Sequence, residues 1–163
     1  MLGQTAAVLH DDVHAGMLYE LLLPFADRNL TIGPVFTYGC VARYLGLLAA
    51  TIGRTDDAAR HFEAALAANT RMGATNQVAN TQLEYAEFLL ARDASAHRGR
   101  ALDLLNRALE TAQALGMRPV VERALAAKLR AQGLDLGTAS MSDRKSTRLN
   151  SSHIQKSRMP SSA

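Results

Sequence analysis

The sequence holds a single cysteine, Cys40, in 163 residues. One thiol excludes an internal disulfide, and no group of Cys and His has the spacing of zinc ligands. Long apolar runs are missing too. The longest, such as Leu45 to Ile52 and Phe88 to Ala91, fall far short of the roughly 20 residues that cross a bilayer, so no membrane segment is expected. The opening MLGQTAAVLHDD has neither a basic region ahead of an apolar run nor a small-residue cleavage site, and cytoplasm is the expected location. No nucleophile, base or metal constellation stands out, so no catalytic residue, metal or cofactor is expected, and the chain does not read as an enzyme.

What is present is a 48% apolar composition, enough for one domain with a real core. The calculated pI of 9.4 suggests a nucleic-acid partner only until the charge is located. From Met1 to Ser142, 13 basic side chains face 14 acidic ones, whereas Asp143 to Ala163 holds five basic and one acidic. The body is therefore near neutral, and no direct nucleic-acid contact is expected of it. Composition breaks at the same place. The body has one lysine, Lys128, and three serines, while the last 21 residues hold six serines and no apolar periodicity. Such a segment is expected to be disordered. DRKSTRLNSSH, Asp143 to His153, resembles the translation of a common sequencing adapter, with eleven consecutive codons in agreement. Ile154, Gln155 and Lys156 fall at its variable index, and SRMPSSA follows as in such an adapter. The resemblance implies that 143–163 is an assembly scar and that the native C-terminus lies elsewhere.

The body repeats itself every 43 residues. Ala15, Ala58 and Ala101 are in step, as are Tyr19, Phe62 and Leu105, and as are Leu22, Ala65 and Ala108. Steps of four and then three place each trio on one face of a helix. The expected helices are 4–10, 12–25, 40–52, 55–72, 75–92, 100–115 and 119–131, within a repeat region 1–134 followed by a linker 135–142. Gly53, Gly73 and Gly116 close helices, Thr55, Asp56 and Asp57 supply an N-cap and first-turn charge, and Pro119 opens the last helix. Asn29 to Pro34 and Asp93 to Gly99 read as loops. The fold class is all-α, with antiparallel hairpins stacked as a right-handed α-solenoid. Each hairpin has an apolar face that stacking covers, so self-association through cut repeat faces is expected.

Leu45 and Gly46, then Ala58, Phe62 and Ala65, resemble the tetratricopeptide repeat at that family's own offsets. Tyr85 and Ala86, then Ala101, Leu105 and Ala108, match again with about three residues inserted. Ala15, Tyr19 and Leu22 form a weaker copy. Ala42 and Ala49 depart from the pattern, as does Thr70. The phrases YELLLPFADRN, ARYLGLLAATIGR, AARHFEAALAANTRMGA and ALETAQALGM look like the C-terminal repeats of bacterial signalling ATPases similar to the maltose-regulator type. That resemblance implies a non-catalytic interaction or sensor segment of a multidomain regulator of signalling or transcription. Its partner is then a protein, a peptide or the other domains of its parent. A free-standing adaptor that binds a peptide in its concave groove is the alternative. The chain itself has no GxxxxGK[ST] loop and no helix-turn-helix candidate after the array.

In stacked hairpins the first helices line the concave face, which makes Arg43, Leu47, Asn80, Leu83 and Glu87 the candidate groove residues. Arg43 stands out, because a guanidinium holds a carboxylate with two hydrogen bonds. An ion pair with a neighbouring helix is the competing reading for it. His10 and His14, i and i+4, lack a third ligand and read as flanking an N-cap. His61 is expected on a solvent-facing helix surface and His97 in a loop. Cys40 reads as a small buried residue, and Tyr38 and Tyr44 as packing residues. A regulator is expected to continue upstream into a P-loop within about a few hundred residues. Sequencing the coding region ahead of Met1 checks this, and a ribosome site directly before Met1 would leave the adaptor.

Overall fold

A computed structural model describes residues 12–32 and 36–133. The expected helix 4–10, His10, the linker 135–142 and the tail 143–163 lie outside the described residues. Five α-helices dominate: α1 Asp12–Leu22, α2 Val41–Thr51, α3 Thr55–Arg71, α4 Thr75–Ala114 and α5 Arg118–Ala131. A short 3-10 turn, Leu23–Phe25, extends α1. Each helix packs on the next in chain order, and no helix among the described residues is long and apolar enough to cross a membrane.

The same connector is used three times. Gly53, Gly73 and Gly116 adopt φ of 75°, 65° and 66°, a left-handed conformation open to glycine at little cost. Around each one the helix end closes in the same way, with Arg54 N–H donating to Ala49 O, Ala74 N–H to Asn69 O and Met117 N–H to Ala112 O. These bonds occupy carbonyls that the last turn would otherwise leave unpaired. The next helix then starts without a side-chain cap. Arg54, Ala74 and Met117 have nearly the same φ and ψ, and each is spanned by a short i to i+2 backbone bond. Thr55 is thus the first residue of α3 rather than its cap, and Asp56 and Asp57 lie in its first turn.

Two expected loops are something else. Asn29 begins a strand, β1 (Asn29–Ile32), which pairs antiparallel with β2 (Phe36–Cys40). The β-branched and aromatic content of NLTI and FTYGC favours this, although the helical period around it masks the signal. Asp93 to Gly99 is not a loop either, because α4 departs from helical backbone only at Asp93 (φ −162°, ψ 97°). Its carboxylate accepts from Ser95 N–H at 2.9 Å and Ala96 N–H at 3.1 Å, a helix N-cap. The arms on either side, 75–92 and 94–114, fold back on one another. Arg100 lies 5.4 Å from the Tyr85 ring, whereas a straight helix would hold the two about 22 Å apart. His97 is consequently on a helix.

The 43-residue pattern is the core. Every member of the three trios is buried except Leu22, which is half-buried and packs against them. Phe62 is fully buried at the centre. It stacks on Tyr85 with ring centroids 5.3 Å apart, and it touches Phe88 at 5.7 Å. A Cβ on Gly46 would meet Phe62 Cδ1 at 3.0 Å. Glycine there lets α2 lie directly on the ring. Phe62→Ala should cost about 3–5 kcal/mol in urea unfolding, and Gly46→Leu about 1–3 kcal/mol through overpacking.

Candidate functional site

The faces of α2, the first arm of α4 and α5, every second helix of the array, form one grooved surface. It holds two depressions that share Glu87 and Ala91. One, about 420 Å³, runs between α2 and α4 over Leu47, Ala50, Thr51, Phe88 and Ala91. The other, about 570 Å³, runs between α4 and α5 over Leu90, Ala91, Ala94, Ala127 and Ala131. The floor is apolar and largely alanine. Charge sits on the rim and is mostly paired: Arg123 donates to Glu87 at 2.7 Å and Arg92 to Asp56 at 3.2 Å, while Arg130 reaches only its own helix carbonyl at Ala126.

Leu47 and Glu87 line this surface. Asn80 is half-buried and lines neither depression, and Leu83 is fully buried in the core. Arg43 is the larger correction. It is 4% exposed and faces the first arm of α4 rather than the groove. There Nε donates to Glu84 Oε2 at 2.8 Å and Nη2 to Glu84 Oε1 at 2.5 Å, while Nη1 donates to Gln77 Oε1 at 3.3 Å. Burial pulls the guanidinium pKa down, but the hydrogen bonds and charge of Glu84 outweigh it, and the net shift is upward. The carboxylate expected from a ligand is supplied by the chain itself.

A buried polar network surrounds this pair. Thr81 donates to the Gln77 carbonyl at 2.7 Å, Asn69 Nδ2 donates to Thr81 at 3.2 Å, and Cys40 N–H donates to Asn69 Oδ1 at 3.2 Å. Gln77, Thr81 and Glu84 recur at steps of four and three, which places them on one face of α4, and all three are buried. That polar stripe was a readable sign of an internal network. The Oε1 of Gln82 is buried with no hydrogen-bond partner among the described residues. Cys40 is buried as expected, and burial pushes its thiol pKa up, which disfavours the thiolate.

His61 is half-buried, which corrects the solvent-facing assignment. Its Nε2 lies 3.1 Å from the Tyr19 hydroxyl across α1 and α3. Burial, helped by Arg60 and opposed by Asp57, holds its pKa below the ordinary 6.5. Arg54 covers the Tyr19 ring at 4.9 Å and pairs with Glu20 and Asp57. Tyr44 packs as expected, while Tyr38 is partly exposed and its carbonyl faces the Tyr44 hydroxyl at 3.5 Å. Among the described residues no group of His, Cys, Asp and Glu is placed to hold a metal ion.

Comparison with protein-family models, curated proteins and solved structures gives no match. The grooved surface is thus characterised by its own geometry.

Arg43→Ala leaves the Glu84 carboxylate buried without its partner and should cost about 3–5 kcal/mol, whereas Arg43→Met with Glu84→Leu should recover most of the loss. A urea-unfolding double-mutant cycle checks both values.

Proposed function

We propose that this chain is a non-catalytic protein-interaction scaffold, a tetratricopeptide-like stack of hairpins that holds a peptide or domain on the surface formed by α2, the first arm of α4 and α5. The observation that carries this reading is the apolar floor of the two adjoining depressions, roofed by nothing among the described residues and edged by charges that, Arg130 apart, are already paired. An apolar floor supplies affinity through burial, and a rim of satisfied ion pairs admits a partner without stranding a buried charge. Alanines at the floor bring the partner's backbone close to the helices. In this reading the stack continues as a right-handed superhelix. Its parent is a multidomain bacterial regulator of the signalling-ATPase kind, as the resemblance of its repeat phrases implies.

Peptides selected on the immobilised chain from a random display library test the groove. Those that bind should lose at least about tenfold in affinity, roughly 1.4 kcal/mol, with Ala91→Glu, and the circular dichroism of the variant should match the parent. Selected peptides indifferent to both Ala91→Glu and Leu47→Glu would remove the groove from the proposal.

A further inference from the structure

The spacing of the two depressions selects among the shapes a peptide can take. The lining residues of α2 fall in 47–51, those of α4 in 84–94 and those of α5 in 127–131. Each depression lies over the seam between two neighbouring helices, and successive seams are separated by one interaxial distance, about 8–10 Å. Ala91 lines both and stands on the ridge between them. A partner that fills both seams needs two apolar side chains about that far apart on one face. In a strand, side chains on one face recur at roughly 6.6 and then roughly 13 Å, and neither fits. A polyproline helix repeats its face about every 9.3 Å, but such segments dock in grooves lined with aromatic rings. Here the floor's two rings, Phe62 and Phe88, lie together in the α2–α4 depression, and the α4–α5 depression is lined by none. An α-helix places residues i and i+7 on one face about 10.5 Å apart, which spans the seams with a slightly oblique crossing.

Charge adds a second requirement. Of the charged lining residues, Glu84 is paired with Arg43, Glu87 with Arg123 and Arg92 with Asp56. Arg130 alone is in no ion pair among the described residues, and it reaches only the Ala126 carbonyl at 3.4 Å. Asp93, beside the lining residue Ala94, has its carboxylate bound to Ser95 N–H and Ala96 N–H. Arg130 also stands where Ala50 and Leu90 stand 80 and 40 residues earlier, both of them lining the groove. Packing between the helices at that position is met by apolar side chains, so the exposed guanidinium is free to serve a partner.

We infer, resting on the interaction reading above, that the groove binds an amphipathic α-helix laid across α2, α4 and α5. Its large apolar side chains at i and i+7 fill the two depressions, and a small residue at i+3 or i+4 passes over Ala91. An Asp or Glu side chain within one turn of the second anchor is held by Arg130. Burial of the two anchors supplies affinity, and the guanidinium–carboxylate pair fixes which anchor sits over α5.

The peptides selected on the immobilised chain, resynthesised with amidated C-termini so that side chains are their only carboxylates, test this. Those weakened by Ala91→Glu should carry apolar pairs seven residues apart with a nearby acidic residue, and should gain helical circular dichroism on binding. Arg130→Glu should weaken them at least about tenfold, and replacing the peptide's acidic residue with lysine should restore most of that loss. Circular dichroism of the Arg130→Glu chain alone checks that its fold is kept. Groove-dependent peptides with apolar residues two or three apart and no gain of helicity would overturn the helical partner while leaving the interaction surface in place. Indifference to Arg130→Glu, or binding only with a free C-terminus, would overturn the side-chain carboxylate. Peptides indifferent to Ala91→Glu, or none selected, would count against the interaction reading itself.

Discussion

Phe62 is fully buried, sits against the bare backbone of Gly46 in α2, and lies flat on Tyr85 of α4. Three helices meet on one ring, and each reaches it by a different device. α2 needs the absence of a side chain, α3 supplies the ring, and α4 supplies a stacking partner whose hydroxyl donates to Glu63 of α3 at 2.8 Å. Burial and that bond to Glu63 push the Tyr85 pKa up to about 12. The ring sets how closely α2 and α4 approach, and so sets the width of the depression above them, which Phe62 itself helps to line. A change that lifted the ring would reshape the core and the groove together.

Apolar packing alone leaves helices able to slide, and the Arg43 network opposes that. A guanidinium bound through two donors to one carboxylate fits in one orientation only, and a shift of one helical turn, about 5.4 Å, would leave both charges buried and unpaired. Gln77, Thr81 and Asn69 extend the restraint from α2 through α4 to α3. Cys40 N–H then ties the end of β2 to the same network. Gly39, at φ 88°, passes so close that a Cβ there would meet Asn69 Oδ1 and Gln77 Cγ, both at 3.1 Å. The hairpin is thus held by the polar interior of the array.

These features were unequally legible. The trios at 43-residue spacing and the helix-ending glycines could be read directly, because small residues and φ-positive turns leave few alternatives. The groove was half legible. Spacing placed Arg43 and Leu47 on one helix face, but which end of that face meets α4 depends on the crossing of two helices and not on either sequence alone. The depression over Ala127 and Ala131 was missed because alanine has no chemistry to attract notice. β1 and β2 were missed because strong helical periodicity on both sides made an intervening loop the economical reading.

The departure of the second hairpin from the first has a physical resolution in the turn at Asp93. Leu45 and Gly46 correspond to Tyr85 and Ala86 at a spacing of 40, whereas Ala58 corresponds to Ala101 at 43, so three residues are added between the two helices of the second hairpin. They do not form a loop. Ala58 lies five positions beyond Gly53 in the first hairpin and Ala101 eight positions beyond Asp93 in the second, and the residues beyond Asp93 are helical. Three residues advance a helix by roughly 300°, which nearly restores the original face. An insertion of two residues, a rotation of roughly 200°, would turn Ala101, Leu105 and Ala108 to the far side of the arm. With three, one extra near-turn is capped at its new start and the core trio stays in register.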